Sequence, residues 1–230
     1  MNVLEYYAKH LGAVFPSLLR GAVLTIQVTA LSEMFGIIIG MFAGLGKLSK
    51  NKIIKGFCGA YVDLIRGTPL LVQVFLIYFG LPNLVLQITG NRFPIDPFVA
   101  AVWACSINSG AYVAEIFRSG IQSIEKGQME AARSLGMNKI QAMRYIILPQ
   151  AFRRIIPPLG NEFIALMKDT SILSAIGLEE LVRKGQLYTS STFASFPVYT
   201  GVMLIYLVMT MTVSRFVTYM ERRLKVIDRS

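Results

Sequence analysis

The sequence predicts an all-α integral membrane protein. It has about five transmembrane helices, with a cytoplasmic helical unit between the third and the fourth. Three observations carry this reading. The chain has 230 residues, 54% hydrophobic and only 16% charged, with a mean hydropathy of +0.55; a soluble domain carries about 25% charged residues. Five runs give roughly 20 or more residues each, enough for a hydrocarbon core about 30 Å thick. The basic excess, 23 Lys+Arg against 13 Asp+Glu, is spread unevenly over the loops, as the positive-inside rule requires.

The chain reads as one transmembrane domain over residues 1–230. Residues 1–20 form a mildly amphipathic segment, expected along the outer interface with Tyr6, Tyr7 and Phe15 as anchors. The spans follow at about Gly21–Gly46, Phe57–Leu81, Pro97–Ser119, Ile155–Ile176 and Pro197–Met220. The fourth is interrupted by Glu162, Lys168 and Asp169. Lys47, Lys50, Lys52 and Lys55 follow the first span. Arg118, Lys126, Arg133, Lys139, Arg144, Arg153 and Arg154 lie around the third loop. Arg215, Arg222, Arg223, Lys225 and Arg229 cluster at the C-terminus. This bias puts the N-terminus outside and the C-terminus in the cytoplasm. Gly36, Gly40 and Gly44 make two overlapping GxxxG units, a small face for close helix packing in lipid.

Composition also excludes classes. A basic chain suggests nucleic acid in a soluble context; here the apolar runs assign the charge to cytoplasmic loops, and no nucleic-acid partner is expected. The one histidine, His10, leaves no basis for a His-containing metal set or a Ser/His/Asp triad. Cys58 and Cys105 lie in or beside apolar runs and read as small buried hydrophobes. The first apolar run is longer than the core of a signal peptide and lacks a basic lead. Five spans are too few for a self-contained two-half transporter, so a pathway is expected from pairing with a second copy or a relative.

Glu130–Pro149 is too polar to cross a bilayer and too well patterned for a slack loop. Glu130, Ala131 and Ala132 favour helix. Gly136 is placed to end it as a left-handed cap. Asn138 with Gln141 has capping-box spacing. Ile140, Met143, Ile146 and Ile147 recur at helical spacing, and Pro149 is expected to close the unit. Helix, glycine turn and helix would present an apolar ridge edged by Arg133, Lys139 and Arg144, suited to a groove on a soluble partner.

The spacing of Glu130-Ala131-Ala132, Leu135-Gly136 and Ile146-x-Leu148-Pro149 resembles the EAA motif of ATP-binding-cassette importer permeases. RGTPLLVQ at Arg66–Gln73, NSGAYVAEIFRSGI at Asn108–Ile121 and PPLGNEFIALMKDTSIL at Pro157–Leu173 resemble the polar amino acid subfamily. The resemblance implies a type I importer permease in a bacterial cytoplasmic (inner) membrane. Residues 122–150 would be the cytoplasmic coupling segment, with Glu130, Ala131, Ala132, Leu135, Gly136, Ile146, Leu148 and Pro149 seated against a cytoplasmic ATPase. It also implies a second permease copy, identical or related, and an extracytoplasmic amino acid-binding protein. The chain carries no Walker A sequence, so it is expected to be no enzyme and to hold no cofactor. ATP and magnesium would sit on the partner ATPase.

Charges within spans are costly, and such groups are functional candidates by default. The middles of spans two, three and four fall near Thr68, near Asn108 and Ser109, and near Asn161 and Glu162. These polar groups at one depth suit a solute site. Glu162 and Glu115 would attract an α-ammonium or a cationic side chain, and Thr68, Asn108, Ser109 and Asn161 would offer hydrogen bonds. Glu115 is equally placed to hold Arg118 at i+3, and Asp63 and Arg66 to pair on one face. The sequence thus favours an ATP-driven importer for polar, preferably basic, amino acids. A secondary transporter or channel independent of ATP is the alternative, but gives no reason for the capped cytoplasmic unit. Ile172–Gln186 reads as a short outer helix, a gate or a docking surface for the binding protein.

Overall fold

The structure is a computed structural model, and it describes residues 2–225. Arg229, counted above among the cytoplasmic cations, lies outside them. No strand occurs among the described residues.

Helix α1 runs without interruption from Val3 to Lys47. At about 1.5 Å per residue it is roughly 68 Å long, so the N-terminal segment and the first span are one rod, continuous through Pro16. Helix α2, Lys52–Arg66, starts where Asn51 Oδ1 accepts from the amide of Ile53 (2.9 Å). It stops at Gly67-Thr68-Pro69. Proline has no amide hydrogen, and its ring disfavours the helical conformation in the residue before it. The chain resumes as α3 (Leu70–Phe75), a wide π-turn (Leu76–Gly80) and α4 (Leu81–Thr89). The sequence placed one span across Phe57–Leu81. In the structure that stretch is broken, and the apolar helix of crossing length is Leu70–Thr89.

Helix α5, Pro97–Gln122, is capped by Asp96, which accepts from the amides of Phe98 and Val99. It is the most enclosed of the long apolar helices, because α1 lies along it at glycine distance. A Cβ at Gly36 would meet Ser109 Oγ at 2.8 Å, one at Gly40 would meet Val113 at 2.6 Å, and one at Gly44 would meet the Ala114 carbonyl oxygen at 2.6 Å. Lys47 Nζ donates to Glu115 Oε2 (3.3 Å), tying the C-terminal end of α1 to α5.

The unit expected in the cytoplasm is α6 (Lys126–Ser134), a turn at Gly136 with φ +88°, and α7 (Lys139–Ala142). Asn138 Oδ1 accepts from the Gln141 amide and Gln141 Oε1 from the Asn138 amide, both at 2.9 Å. Pro149 does not close the unit. A second π-turn, Met143–Ile147, leads directly into α8, Leu148–Asp169. An α-helix would set the proline ring against the carbonyl four residues back. Here a wider turn stands just before it, and the Leu148 amide bonds five residues back to Met143. The same device precedes Pro82, with the Leu81 amide bonded to Leu76.

Helix α8 gives way to a tight 3-10 stretch, Thr170–Ile176, then Gly177 at φ +79°. Helix α9, Leu181–Thr192, is capped by the buried Glu180, which accepts from the amides of Val182 (2.9 Å) and Arg183 (2.7 Å). Tyr206 of α10 (Ser195–Lys225) donates to the same carboxylate, and the Leu181 amide donates to Thr25 of α1. Among the described residues four helices are long and apolar enough to cross a membrane: Val3–Lys47, Leu70–Thr89, Pro97–Gln122 and Ser195–Arg223. Helix α8 has the length of a span, 22 residues, but carries Arg153, Arg154, Glu162, Lys168 and Asp169.

Two stability outcomes follow from these contacts. Gly40→Leu should lower the thermal midpoint of the detergent-solubilised protein, by overpacking that costs about 1–3 kcal/mol, whereas Gly12→Ala, where an added Cβ meets nothing within 4 Å, should not. Glu180→Ala removes the α9 cap and should cost about 0.5–2 kcal/mol; a midpoint matching the wild type would show that the cap does not hold α9.

Candidate functional site: the mid-membrane polar cluster and the cytoplasmic unit

The break in span two is held by a residue that sequence reasoning did not single out. Gln73, on the first turn of α3, places Nε2 at hydrogen-bond distance from the Ile65 carbonyl (2.8 Å), the Thr68 carbonyl (3.1 Å) and Thr68 Oγ1 (2.9 Å). Its Oε1 accepts from Asn108 Nδ2 at 2.9 Å. Thr68 in turn donates to the Leu64 carbonyl. Carbonyls freed where α2 ends are thus satisfied by a side chain, as an irregular backbone at membrane depth requires. Thr68 and Asn108 are joined through Gln73; Asn108 is buried and Thr68 exposed.

Ser109 points the other way, to α1. Its Oγ donates to Glu33 Oε2 at 2.7 Å. Glu33 is only 5% exposed, and its Oε1 has no hydrogen-bond partner. The signal for it was present: Glu33 is a carboxylate near the middle of the first apolar run, and the rule that intramembrane charges are functional candidates applies to it directly.

Asn161 and Glu162 lie on α8, Asn161 exposed and Glu162 partly so. No hydrogen bond or close ion pair engages Glu162 among the described residues; the charges of Glu33, Asp169 and Arg66 act on it. Glu115 is different. It accepts from both Arg118 and Lys47, so it is an ion-pair hub between α1 and α5 rather than an open anionic group. Asp63 and Arg66 form no ion pair. The Arg66 guanidinium lies over the Tyr112 ring, 5.2 Å from its centroid.

In the cytoplasmic unit Ala132, Ala142 and Ile147 are buried, which fixes its inner face. Leu135, Ile140 and Tyr145 are exposed at 83%, 79% and 61%. Glu130, Ala131, Gly136 and Pro149 are exposed, and Ile146 and Leu148 partly covered. Lys139 and Arg144 flank a surface hollow over Ile140, Met143 and Leu148. On the opposite side of the protein, the hydrogen bond from Lys184 holds the Glu179 carboxyl below its ordinary range.

Known proteins match nearly the whole of this architecture. The family model described as binding-protein-dependent transport system inner membrane component matches residues 36–226. The glutamine transport system permease protein GlnP of Escherichia coli (strain K12) is 41% identical over 212 residues, covering 92% of this chain and 94% of that protein. The L-cystine transport system permease protein TcyL of Bacillus subtilis (strain 168) is 34% identical over 215 residues, covering 94% and 90%. Among solved structures, a chain of an amino acid ABC transporter crystallised with histidines superposes with a TM-score of 0.86 at 43% identity, over 97% of this chain and 99% of that one. With its apolar helices, its glycine-packed centre and a match over both the mid-membrane cluster and the cytoplasmic unit, the chain belongs to the binding-protein-dependent transport system inner membrane component family, as an ABC importer permease.

Proposed function

We propose that the protein imports polar amino acids, cationic ones in preference, as one of a pair of permease subunits driven by cytoplasmic ATPases. The observation that carries the coupling half of this reading is the exposed apolar face of the cytoplasmic unit. Leu135, Ile140 and Tyr145 stand out between two helices whose inner faces are packed, as a helix offered to a groove does. ATP binding on the partners would draw two such units together. The paired permeases would then turn from inward-facing to outward-facing, and hydrolysis would reset them. An extracytoplasmic binding protein would deliver solute at the outer end, near α9. The N-terminus lies outside and the C-terminus in the cytoplasm of a bacterial inner membrane.

In the solute half, Glu162 receives the α-ammonium group, a role open to it because no hydrogen bond engages its oxygens among the described residues. Asn161 and Thr68 offer hydrogen bonds to the carboxylate. Asn108 acts through Gln73, whose position it fixes. Glu115 takes no part, because Lys47 and Arg118 already neutralise it.

Each half has its test. Gly136 adopts φ +88°, which a β-branched residue resists; Gly136→Val should therefore reduce co-purification of the ATPase and transport together, while the protein still reaches the membrane. Full retention of the ATPase would overturn the coupling role. Amino acids that bind the folded transporter raise its melting temperature by mass action, and Glu162→Gln should abolish that rise for every amino acid. A rise that persists undiminished in the variant would remove Glu162 from the site. Gln73→Leu leaves the Asn108 amide and the Thr68 carbonyl without the partner that Gln73 supplies, while the Ile65 carbonyl keeps Thr68, and should cost about 1–3 kcal/mol per orphaned group in thermal stability.

A further inference from the structure

An open cavity of about 540 Å³ lies between α1, α8 and α10. Its walls are hydrocarbon: Ile37 from α1, Ile156, Leu159 and Phe163 from α8, and Phe216 and Val217 from α10. Two polar side chains border it, and both are engaged elsewhere. Glu33 is buried and accepts from Ser109. The Thr212 hydroxyl donates to the Val208 carbonyl at 2.7 Å. A concave space of this size with apolar walls suits a chain of methylenes.

The two helices that wall most of this groove bring charge to one end of it. Gly160 packs on Val217, and Thr170, just past α8, meets Tyr206; α8 and α10 are therefore antiparallel. Residues three apart on a helix share a face. On α8 the lining stripe continues from Ile156 back to Arg153, and on α10 from Met220 on to Arg223. Arg153 stands about 10 Å along α8 from Gly160, and Arg223 about 9 Å along α10 from Val217. The two cations thus reach the same end of the groove at one level. Arg154 is committed to the Ser123 carbonyl (2.6 Å), whereas no ion pair engages Arg153 among the described residues. Arg223 donates to the Tyr219 hydroxyl of its own helix (3.1 Å), and its acidic neighbour Glu221 is itself engaged.

We propose that this groove seats an acyl chain of an anionic phospholipid, with the lipid phosphate held between Arg153 and Arg223. Hydrocarbon walls that end in two guanidiniums match a ligand that is hydrocarbon along its length and anionic at its head. A second copy of this chain suits the place less, because a molecule of net charge +10 brings cations to cations. Under the orientation proposed above, the charged mouth opens at the inner leaflet. A lipid seated there bears directly on α8, the helix that carries Asn161 and Glu162.

The test uses the purified transporter, permease with its ATPase subunits, in detergent. Apparent affinities for phosphatidylglycerol and phosphatidylcholine with the same acyl chains are read from thermal shifts. The wild type should favour phosphatidylglycerol. Arg153→Gln and Arg223→Gln should each weaken that lipid about fivefold, the contribution of one basic side chain at a membrane surface. Both variants should keep the lipid-free melting temperature and the affinity for phosphatidylcholine. Lys52→Gln, which removes an exposed cation of α2, should change neither affinity. Thr212→Trp fills the groove, leaves both arginines in place and should weaken both lipids. Glycerol phosphate, a headgroup without a chain, should give no shift. A wild type that binds the two lipids alike overturns the site, as does a preference for phosphatidylglycerol that survives loss of both arginines. Undiminished lipid binding by Thr212→Trp, the result expected if a second copy fills the groove, overturns it too. So does a shift by glycerol phosphate equal to that of the lipid, which would make the ligand a free phosphate. None of these readouts involves an amino acid, so their failure leaves the solute site untouched.

Discussion

The close approach of α1 to α5 is the constraint on which the other features depend. Three glycines at four-residue spacing bring the two backbones so near that no Cβ fits at Gly36, Gly40 or Gly44. Lipid tails are as apolar as leucine, so helices in a bilayer gain little by hiding apolar surface from each other; they associate through dispersion and polar bonds at short range. That short range sets Ser109 against Glu33 and, about two turns further along α5, Glu115 against Lys47. With α1 and α5 fixed in register, α2 and α8 each pack against both, and α3 packs against α5. Polar groups from separate helices then arrive at one depth.

Backbone regularity is altered at three prolines by two devices. At Gly67-Thr68-Pro69 the helix ends within the membrane region, and Gln73 satisfies the freed carbonyls. Before Pro82 and Pro149 the helix is not broken but widened, so that the chain continues past a residue that would normally stop it. π-turns of this kind occur mostly at functional sites. Here one lies in the span that follows the break, and the other joins the cytoplasmic unit to α8.

Much of this was legible in the sequence, and the rest has physical reasons for being hidden. The capping pair Asn138 and Gln141, the left-handed glycine at 136 and the small face of α1 are local signals, encoded within a few residues, and the structure has all three. Pro149 misled because a proline ordinarily ends a helix, and the widened turn that spares it has no residue signature. Span two was misplaced because hydropathy is nearly continuous across Gly67-Thr68-Pro69, whereas the backbone is not. Gln73 reads as one more polar residue until the carbonyls it serves are located in space. Arg118 at i+3 already marked Glu115 as able to pair; that Lys47, 68 residues earlier in the chain, completes its neutralisation is visible only in space.

The uninterrupted course of the chain past Pro149 bears on how force would travel. From the exposed Ile140 to Glu162 is one helical path about 33 Å long at the usual rise. A rod of this kind works as a lever. Tilting one end would displace the other without any loop to absorb the motion, since the π-turn at Met143–Ile147 runs directly into α8. A displacement imposed at Ile140 would therefore reach Glu162 as a movement of the whole helix, in step with the force that caused it.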